Sequence, residues 1–304
     1  MKIREQMEHV PCNLCGADDY TVIYEAKYDP ETEQDLVEKF KSSGDELLID
    51  QVVKCKRCGL IYTNPRLNQD LIFKGYSMGE DPTFVSQAKG REITFARSLN
   101  YIEKHAKKGK ILDIGTAGGT FLHVAKQRGW EVYGLEPNTW LCDWGKKHYG
   151  IDISHKSLFD QQYPDNFFDV VTLYDVLEHM GDPKRTLQEC NRILKPGGIL
   201  VVNYPDIGSW LSRLMRRRWI FLLSVHIYYF TRPTIKAMLA KTGFKVEVVK
   251  PHIQTLSLGY LIYRMEAHSK LLHKTSKPVV KALRMDNLQV PYWLGQTFVL
   301  ARKP

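Results

Sequence analysis

The stretch KILDIGTAGGTFLHVAKQRGWEVYGLEP, residues 110–137, decides the fold of this chain. It opens with an apolar run typical of a strand, breaks into small residues, continues with helical spacing, and closes with a second apolar run. The order strand, helix, strand predicts a crossover connection between two parallel strands. In such a sheet the ligand lies beyond the carboxyl ends of the strands, where the chain leaves the first one. The turn after residue 114 is therefore the predicted binding site.

The residues of this turn indicate what kind of ligand it binds. Gly115, Gly118 and Gly119 allow a sharp turn and a close approach of the backbone to a bound molecule. A dinucleotide site uses the spacing G-x-G-x-x-G so that pyrophosphate rests on the helix N-terminus, whereas Asp113 here would repel a pyrophosphate. The turn thus predicts a ligand with a cationic end. Glu136, just after the second strand, is placed to accept hydrogen bonds from a ribose diol.

Predicted helices and strands alternate along most of the chain, which indicates a parallel sheet covered on both faces. The 304 residues, 43% of them hydrophobic, suffice for one α/β core and a small accessory module. The predicted helices are 91–106, 119–128, 138–149, 183–194, a basic candidate at 208–218, and 232–241. The predicted strands are 110–114, 131–135, a short one near 151–154, 168–174, 198–203, 244–249 and 296–302.

The chain resembles the class I S-adenosylmethionine-dependent methyltransferases over about residues 91 to 249. Four motifs carry the resemblance in order: DIGTAGGTF at 113–121, the acid Glu136, FDVVTLYDVLEHM at 168–180, and LKPGGILVVNYPD at 194–206. The resemblance implies an α/β fold with a Rossmann-like, doubly wound, seven-stranded and mostly parallel sheet. It also implies that the final strand, 296–302, runs antiparallel beside 244–249, and that the cofactor is S-adenosylmethionine.

The resemblance also assigns cofactor-binding residues. Asp113, Gly115 and Gly119 would frame the methionine half of the cofactor, and Glu136 would hold the ribose. Beside the adenine we expect Leu158 or Phe159 together with Asp160, and Gly118 and Asp175 complete the predicted set. The family often has glycine where Ala117 stands, and alanine can serve there if its φ is negative.

Two histidines are candidate catalytic residues. A sulfonium methyl donor carries a good leaving group, so the enzyme must mainly align the acceptor and exclude water. A hydroxyl or carbon acceptor needs a base as well. His179 follows the fourth strand, and His226, in SVHIYYFT, follows the fifth, where acceptor pockets are built. The alternatives are that His179 shapes the cofactor pocket and that His226 makes a structural hydrogen bond.

Four of the six cysteines form two CxxC pairs, each followed by glycine: CNLCG with Cys12 and Cys15, and CKRCG with Cys55 and Cys58. This spacing predicts a four-cysteine zinc site, structural because no coordination position is left for water. The alternatives are two disulfides, disfavoured without an export signal, or free core thiols. We predict a zinc module at residues 1–80 and a methyltransferase domain at 81–304. This arrangement resembles bacterial methyltransferases with a zinc-ribbon head, which act on sugars, natural products or surface-polysaccharide intermediates.

The net charge of +9 is concentrated in the C-terminal third, where residues 205–304 hold 17 Lys and Arg against 4 Asp and Glu. SWLSRLMRRRWIFLLS at 209–224 mixes apolar and cationic residues, and GYLIYRMEAHSKLLHKTSKPVVKALR at 259–284 repeats the mixture. Segments 205–232 and 251–292 are predicted to form an acceptor-side lid. Their composition indicates an anionic or lipid-linked acceptor and peripheral contact with an anionic membrane, or else a solvated basic face.

Three functions fit these patterns. The first is methyl transfer to oxygen or carbon of a small molecule, such as a sugar, lipid-linked or polysaccharide intermediate. The second is a zinc-containing RNA methyltransferase. The absence of an Asn/Asp-Pro-Pro-aromatic motif after the fourth strand counts against it. The third is a non-catalytic module that binds the cofactor and a partner. The sequence shows no signal peptide, which predicts a cytoplasmic protein, peripheral at the inner face of the membrane if it contacts lipid.

Overall fold

The computed structural model describes residues 6–27, 48–68, 71–73, 77, 79–80, 82–266 and 270–304. The strands are β1 (Met7–Glu8), β2 (Tyr20–Tyr24), β3 (Val52–Cys55), β4 (Ile61–Thr63), β5 (Arg66–Leu67), β6 (Lys110–Ile114), β7 (Glu131–Leu135), β8 (Phe168–Tyr174), β9 (Leu194–Pro205), β10 (Tyr228–Tyr229), β11 (Lys245–Pro251), β12 (Gln254–Ser257), β13 (Gln289–Tyr292) and β14 (Gln296–Arg302). The helices are α1 (Pro82–Val85), α2 (Ala88–Ile102), α3 (Thr120–Gln127), α4 (Thr139–Tyr149), α5 (Pro183–Ile193), α6 (Trp210–Met215), α7 (Arg232–Lys241), α8 (Leu258–Met265) and α9 (Lys270–Ala282). Single 3₁₀ turns span Leu177–His179 and Arg216–Arg218.

The central sheet has the strand order β11-β14-β9-β8-β6-β7. Strand β6 pairs in parallel with β7 and β8, and β8 pairs in parallel with β9. Strand β14 runs antiparallel to both of its neighbours, β9 and β11. The predicted fold class is confirmed: the sheet is mostly parallel, and its reversed strand is the final one, 296–302. The carboxyl ends of β6, β7, β8 and β9 therefore meet at one edge of the sheet.

Two predicted elements differ from those observed. The short strand near 151–154 is reduced to a single parallel bridge between Leu135 and Ser154, so the described sheet has six strands and one bridge in place of the seventh. The basic helix predicted at 208–218 is interrupted, because α6 ends at Met215 and Arg216 has a φ of +51°. A residue with a Cβ rarely adopts a positive φ, and a residue in this conformation cannot continue an α-helix.

A second sheet joins the N-terminal segment to the rest of the chain. Its order is β10-β4-β3-β2, with antiparallel pairing throughout. Strand β10 comes from the segment predicted as an acceptor-side lid, and its Tyr228 and Tyr229 lie opposite Tyr62 and Ile61 of β4. The N-terminal module is thus fastened by backbone hydrogen bonds to the part of the chain that carries His226.

Buried side chains cover both faces of the central sheet. On one face Leu99, Ile111 and Phe121 belong to a cluster built from α2, α3 and the strands. On the other face Leu112 and Leu173 share a cluster with residues of the N-terminal module. That shared cluster includes Cys12, Leu14, Val53, Cys55, Leu60 and Tyr62, all almost fully buried. The N-terminal module therefore buries its apolar surface against the sheet instead of forming a separate core.

Candidate active site

A cavity of about 450 Å³ lies beyond the carboxyl ends of the central strands. This volume is within the usual range of small-molecule sites. The residues predicted from the sequence that line it are Gly115, Glu136, Leu158, Phe159, Asp175, His179 and His226. The cofactor candidates and the histidine candidates thus open into the same space.

The first turn is tightened by backbone hydrogen bonds between neighbouring strands. The N–H groups of Gly115 and Thr116 both donate to the carbonyl of Leu135, at 2.7 and 3.0 Å. Gly115 has a φ of +67°, and a Cβ placed on it would lie 2.5 Å from a methyl carbon of Val176. Glycine is required here for both its conformation and its lack of a side chain.

Ala117 in this turn has a φ of +49°, contrary to the negative φ expected for an alanine. A left-handed conformation costs a residue with a Cβ roughly 1–2 kcal/mol. The backbone N–H of Ala117 donates to Oε2 of Glu136 at 2.8 Å, and this bond holds the conformation. Strain of this kind is characteristic of ligand-binding turns.

Glu136 is 7% exposed and uses both of its carboxylate oxygens to organise the turn. Its Oε1 accepts a hydrogen bond from the backbone N–H of Asn138 at 3.0 Å, and Oε2 accepts from Ala117. Burial raises the pKa of Glu136 to about 7, and the two backbone donors act in the opposite direction. Each oxygen keeps a second lone pair, so the carboxylate can still accept hydrogen bonds from a ligand hydroxyl.

Asp113 does not line the cavity. Its side chain is 3% exposed, and Oδ1 accepts a hydrogen bond of 2.6 Å from the Thr172 hydroxyl of the neighbouring strand. Burial raises its pKa to about 7, against hydrogen bonds from Thr172 and Thr116. Asp113 therefore lies below the first turn, one layer away from the cavity surface.

Three other predicted cofactor residues also lie outside the cavity lining. A Cβ on Gly118 would meet the ring of Trp144 at 2.6 Å, so this glycine permits close packing of the turn on α4. Gly119, with a φ of +74°, occupies the N-cap position of α3. Asp160 accepts a hydrogen bond from the Ser157 hydroxyl, whereas its neighbours Leu158 and Phe159 do line the cavity.

Asp175 follows β8 in a left-handed conformation, with a φ of +55°. Its Oδ1 accepts from the Asn203 amide at 2.7 Å and its Oδ2 from the Gln254 amide at 3.0 Å. Burial raises the pKa of Asp175 to about 6, opposed by these amides and by the charge of Arg91. A non-glycine residue persists in this conformation only where its surroundings hold it, as the two amides do here.

His179 and His226 lie side by side, with ring centroids 4.7 Å apart. Nδ1 of His179 donates to the carbonyl of Val225, and Nδ1 of His226 donates to the carbonyl of Phe221, both at 2.8 Å. One loop therefore fixes both imidazole rings. Burial lowers the pKa of His179 to about 4 and that of His226 to about 3, so both rings are neutral at neutral pH.

Glu178 stands next to this pair. An acidic oxygen of Glu178 and ring nitrogens of the two histidines lie within 4.8 Å of one another. The residue is 2% exposed, and neither carboxyl oxygen has a hydrogen-bond partner in the described part of the chain. Burial, together with the nearby charge of Asp175, raises the pKa of Glu178 well above its ordinary value and so favours the neutral carboxyl.

Several other cavity residues have no local signal in the sequence. Arg91 of α2, Gln254 of β12, Arg264 of α8 and Tyr292 of β13 all line the cavity. Burial raises the pKa of Tyr292, while the charges of Arg91 and Arg264 act in the opposite direction, so both guanidinium groups lie near this phenol. These residues come from distant parts of the chain, and no spacing within a single motif connects them.

The four predicted metal ligands come together. The Sγ atoms of Cys12, Cys15, Cys55 and Cys58 all lie within 4.8 Å of one another, with Cys12 and Cys58 at 3.4 Å and Cys15 and Cys55 at 3.5 Å. Tetrahedral zinc with Zn–S bonds of about 2.3 Å places its sulfurs roughly 3.8 Å apart, so the cluster fits this ion. The two knuckles repeat one geometry: in each, the glycine has a positive φ and its N–H donates to the carbonyl of the first cysteine.

Comparison with known proteins gives one family match. A model described as a methyltransferase domain matches residues 87–249. The ubiquinone biosynthesis O-methyltransferase of Pseudomonas aeruginosa (strain LESB58) is 32% identical over 108 residues, which cover 33% of this chain and 47% of that protein. The protein of the same description from Coxiella burnetii (strain RSA 493 / Nine Mile phase I) is 28% identical over 158 residues, which cover 48% of this chain and 68% of that protein. The chain spans about half the length of the first curated relatives that it matches.

Among solved structures, an S-adenosylmethionine-dependent methyltransferase from Archaeoglobus fulgidus is similar to this chain, with a TM-score of 0.49 at 21% identity. The alignment covers 73% of this chain and all of that one. A geranyl diphosphate C-methyltransferase from Streptomyces coelicolor A3(2) gives a TM-score of 0.46 at 13% identity, over 69% of this chain and 76% of that one.

Proposed function

Since the chain belongs to the methyltransferase-domain family, we propose that it transfers the methyl group of S-adenosylmethionine to an oxygen atom of a small-molecule acceptor. One observation carries the proposal: a single cavity is lined by the Gly115 turn and Glu136 and also by the pair His179 and His226. Oxygen is preferred to carbon because the curated relatives are described as O-methyltransferases.

The cofactor half of the cavity suits a ribose attached to a cationic group. When bound, S-adenosylmethionine supplies an electrophilic methyl group on a positively charged sulfur. Glu136 accepts hydrogen bonds from the ribose hydroxyls, and the Gly115 turn lets the backbone come close to the ligand. Leu158 and Phe159 provide apolar contacts for the adenine, and Asp113 contributes negative charge from below the turn. Gly118, Gly119 and Asp160, predicted to contact the cofactor, lie outside the cavity lining and are proposed to act only through the shape of the two loops.

The histidine pair supplies the base for a hydroxyl acceptor. His226 is the proposed base because it follows the fifth strand of the motif, on the acceptor side of the cavity. Its Nδ1 donates to a backbone carbonyl, so its Nε2 is the nitrogen that accepts a proton. With S-adenosylmethionine bound, His226 would take the hydroxyl proton as the acceptor oxygen bonds to the methyl carbon, and the electron pair of the broken carbon–sulfur bond would stay on sulfur. The positive charge passes from sulfur to the ring, so the net charge of the site is unchanged. Burial lowers the pKa of this ring in the free protein, but in the transfer step the ring gains its charge only as the sulfonium beside it loses one.

The acceptor half of the cavity suits a molecule with an apolar body and an anionic group. Tyr174, Phe221 and Tyr260 supply aromatic walls, and Arg91 and Arg264 supply the cations. Guanidinium groups bind carboxylate and phosphate through paired hydrogen bonds. A phosphorylated sugar or a lipid-linked intermediate combines these features with a hydroxyl group. Such intermediates are therefore the proposed substrate class.

The four-cysteine cluster is proposed to hold one structural zinc ion. All four ligands would be thiolates, which leave no open position for water or substrate. Although burial opposes it, the backbone N–H donors of Cys58 and Arg57 lower the pKa of Cys55 to about 7, which favours the thiolate that zinc requires.

Peripheral contact with an anionic membrane is proposed for the cationic C-terminal third. Trp210 and Leu214 of α6 are 65% and 73% exposed, and Arg213 lies between them on the same helix. Exposed apolar side chains next to cations are the composition of interfacial helices, which bind anionic lipid headgroups. In the part of the chain that the structure describes, no helix combines the length and apolarity needed to cross a bilayer.

The test is transfer of a labelled methyl group from S-adenosylmethionine to extracted lipids, polar metabolites and cell RNA. Label in a hydroxyl-bearing lipid or metabolite fraction supports the proposal. Label in RNA alone, with binding that weakens steeply with salt, would establish the RNA methyltransferase alternative. A protein that binds the cofactor yet labels nothing would instead be the non-catalytic module.

The same assay tests the base. His226→Gln should lower kcat about a hundredfold while leaving the affinity for the cofactor unchanged, because a positioned base contributes about 10²–10⁴ in rate. The control is His123→Gln, since His123 lies on α3 outside the cavity and pairs with Gln127. Equal rates for the wild type and His226→Gln would remove His226 from the mechanism.

A further inference from the structure

The two cysteine knuckles make separate contacts with the two segments that carry the candidate bases. The first knuckle, Cys12–Cys15, contacts the chain just after His179. The second knuckle, Cys55–Cys58, leads into a strand that pairs with the chain just after His226. Both contacts are made by residues beside the cysteines and not by the cysteine side chains.

The first connection runs through Asn13, which lies between the two ligands of the first knuckle. Its amide Nδ2 donates to Oδ1 of Asp182 at 2.8 Å, and its Oδ1 accepts from the backbone N–H of Lys184 at 3.0 Å. Asp182 is the N-cap residue of α5 and also accepts from the backbone N–H of Arg185. The side chain of Asn13 is therefore part of the cap of the helix that begins four residues after His179.

The second connection is a backbone ladder. After the second knuckle, β4 pairs with β10, two residues beyond His226. The N–H of Thr63 donates to the carbonyl of Ile227 at 3.0 Å. A side-chain contact supports this pairing: Nη1 of Arg66, shortly after β4, donates to the hydroxyl of Tyr228 in β10 at 3.1 Å.

The two connected segments also hold each other. The N–H of Ile227 donates to the carbonyl of Glu178 at 3.0 Å. The Val225 carbonyl, from the second segment, accepts the Nδ1 proton of His179. The relative position of the two imidazoles thus depends on two short peptides, each anchored on one knuckle. In the described part of the chain, the Glu136 carboxylate is instead held by Ala117 and Asn138, within the cofactor loops.

We propose that the four-cysteine centre, acting through Asn13 and through the β4–β10 pairing, sets the relative position of His179 and His226. Asn13 is on this proposal a positioning residue for methyl transfer. Because the two knuckles share one metal ion, loss of that ion releases both peptides together. Metal loss then uncouples the acceptor side from the cofactor side: methyl transfer is lost while cofactor binding remains. This inference rests on the proposed function for its kinetic consequence, but not for its structural one.

The first test is Asn13→Ala in the full-length, metal-loaded protein. It should lower kcat about tenfold or more, since misplacing catalytic groups by about 1 Å can cost a hundredfold. The cofactor dissociation constant should change less than twofold. The matched control is Asn191→Ala, which removes an asparagine that also bonds to a backbone group, the Gly243 carbonyl, near the opposite end of α5. A kcat unchanged by Asn13→Ala would overturn the role of Asn13.

A charge change at Asn13 tests the same link in a second way. Asn13→Asp keeps an acceptor for the N–H of Lys184 but places a second carboxylate against Oδ1 of Asp182, the oxygen that also accepts from the N–H of Arg185. This variant should lower kcat at least as much as Asn13→Ala, while the cofactor dissociation constant again changes less than twofold. A wild-type kcat for Asn13→Asp, in a correctly folded protein, would contradict the hydrogen-bonded link.

Histidine NMR supplies a readout that needs no substrate. The ring C–H signals of His179 and His226 can be assigned by comparison with His179→Gln and His226→Gln. Removal of zinc by a chelator, or Asn13→Ala, should shift these two signals and leave those of His123 and His148 in place. If none of the tested acceptors is methylated, the proposed function fails. The NMR measurement still shows whether the four-cysteine centre sets the positions of the two histidines. Unchanged His179 and His226 signals in the zinc-free protein would overturn the proposed link to the cysteine centre.

Discussion

At Glu136 one carboxylate both closes the first turn and faces the cavity. It holds Ala117 in a left-handed conformation and remains able to accept hydrogen bonds from a ligand. Burial raises the pKa of this carboxyl, and the two backbone N–H donors keep it hydrogen-bonded in the buried position. At this scale the site is a set of buried ionisable groups whose charge states are set by desolvation.

The side chain of Glu136 can be tested by an isosteric change. Glu136→Gln should weaken S-adenosylmethionine binding about 10–100-fold, because hydrogen bonds to a charged group contribute roughly 1.5–3 kcal/mol. Calorimetric titration measures this directly. Glu131→Gln is the matched control, since Glu131 lies at the other end of β7, away from the cavity. An unchanged dissociation constant for Glu136→Gln would exclude the assigned ribose site.

Burial raises the pKa of Glu136 and of Asp113 to about 7. In the free protein near pH 7 both carboxyls are therefore partly protonated. A ligand with a positive charge and hydroxyl donors favours their ionised forms and lowers both pKa values, so binding should release protons. The release should be largest below pH 7, between the pKa values of the free and the bound protein, should persist at pH 7, and should disappear well above it, where both groups are already ionised.

Proton release is measured as the dependence of the binding enthalpy on the ionisation enthalpy of the buffer. In the wild type at pH 7 the slope should indicate release, and in Glu136→Gln it should be smaller. A slope of zero at pH 7 would mean that the two carboxyls do not respond to the cofactor.

At the scale of elements, the turn between β6 and α3 shows why one position tolerates only glycine. Gly115→Ala should lower the free energy of unfolding by about 1–3 kcal/mol, because alanine is strained at this φ and its Cβ would overlap Val176. Gly129→Ala is the matched control: Gly129 also has a positive φ, +87°, but no atom lies within 4 Å of its Cβ position.

The difference between these two variants isolates the contact with Val176. Urea unfolding should show Gly115→Ala to be the less stable variant, and its affinity for the cofactor should fall as well. Equal losses of stability in the two variants would show that only the backbone conformation matters at Gly115.

At the scale of the whole molecule, the concentration of cations in the C-terminal third predicts binding to anionic vesicles. Phosphatidylglycerol vesicles should bind the protein at low salt and release it as salt rises, because cations near an anionic surface are screened within a Debye length. Trp210→Ser combined with Leu214→Ser should reduce vesicle binding severalfold. Val22→Ser is the control, since Val22 is exposed on β2 of the N-terminal sheet. Equal binding by all variants would remove α6 from the interface.

Features with a local cause could be predicted from the amino-acid sequence alone. Strands alternating with helices specify a parallel sheet, and the turn with Asp113 and Gly115 specifies a ligand site at its edge. Two CxxCG repeats specify two knuckles of the same geometry, because each knuckle is built from consecutive residues, and the four thiols come together in one cluster. In each case the pattern and its physical effect lie within a few residues of one another.

Tertiary structure alone decided which distant residues share the cavity. His179 and His226 were separate candidates in the sequence, and packing of one loop made them a pair. Arg91 and Arg264 reach the same space from helices that are far apart in the sequence. Asp113, by contrast, is withdrawn beneath the turn by its bond to Thr172 on the neighbouring strand. Such contacts depend on how the chain closes over long distances, and local sequence patterns carry no information about that closure.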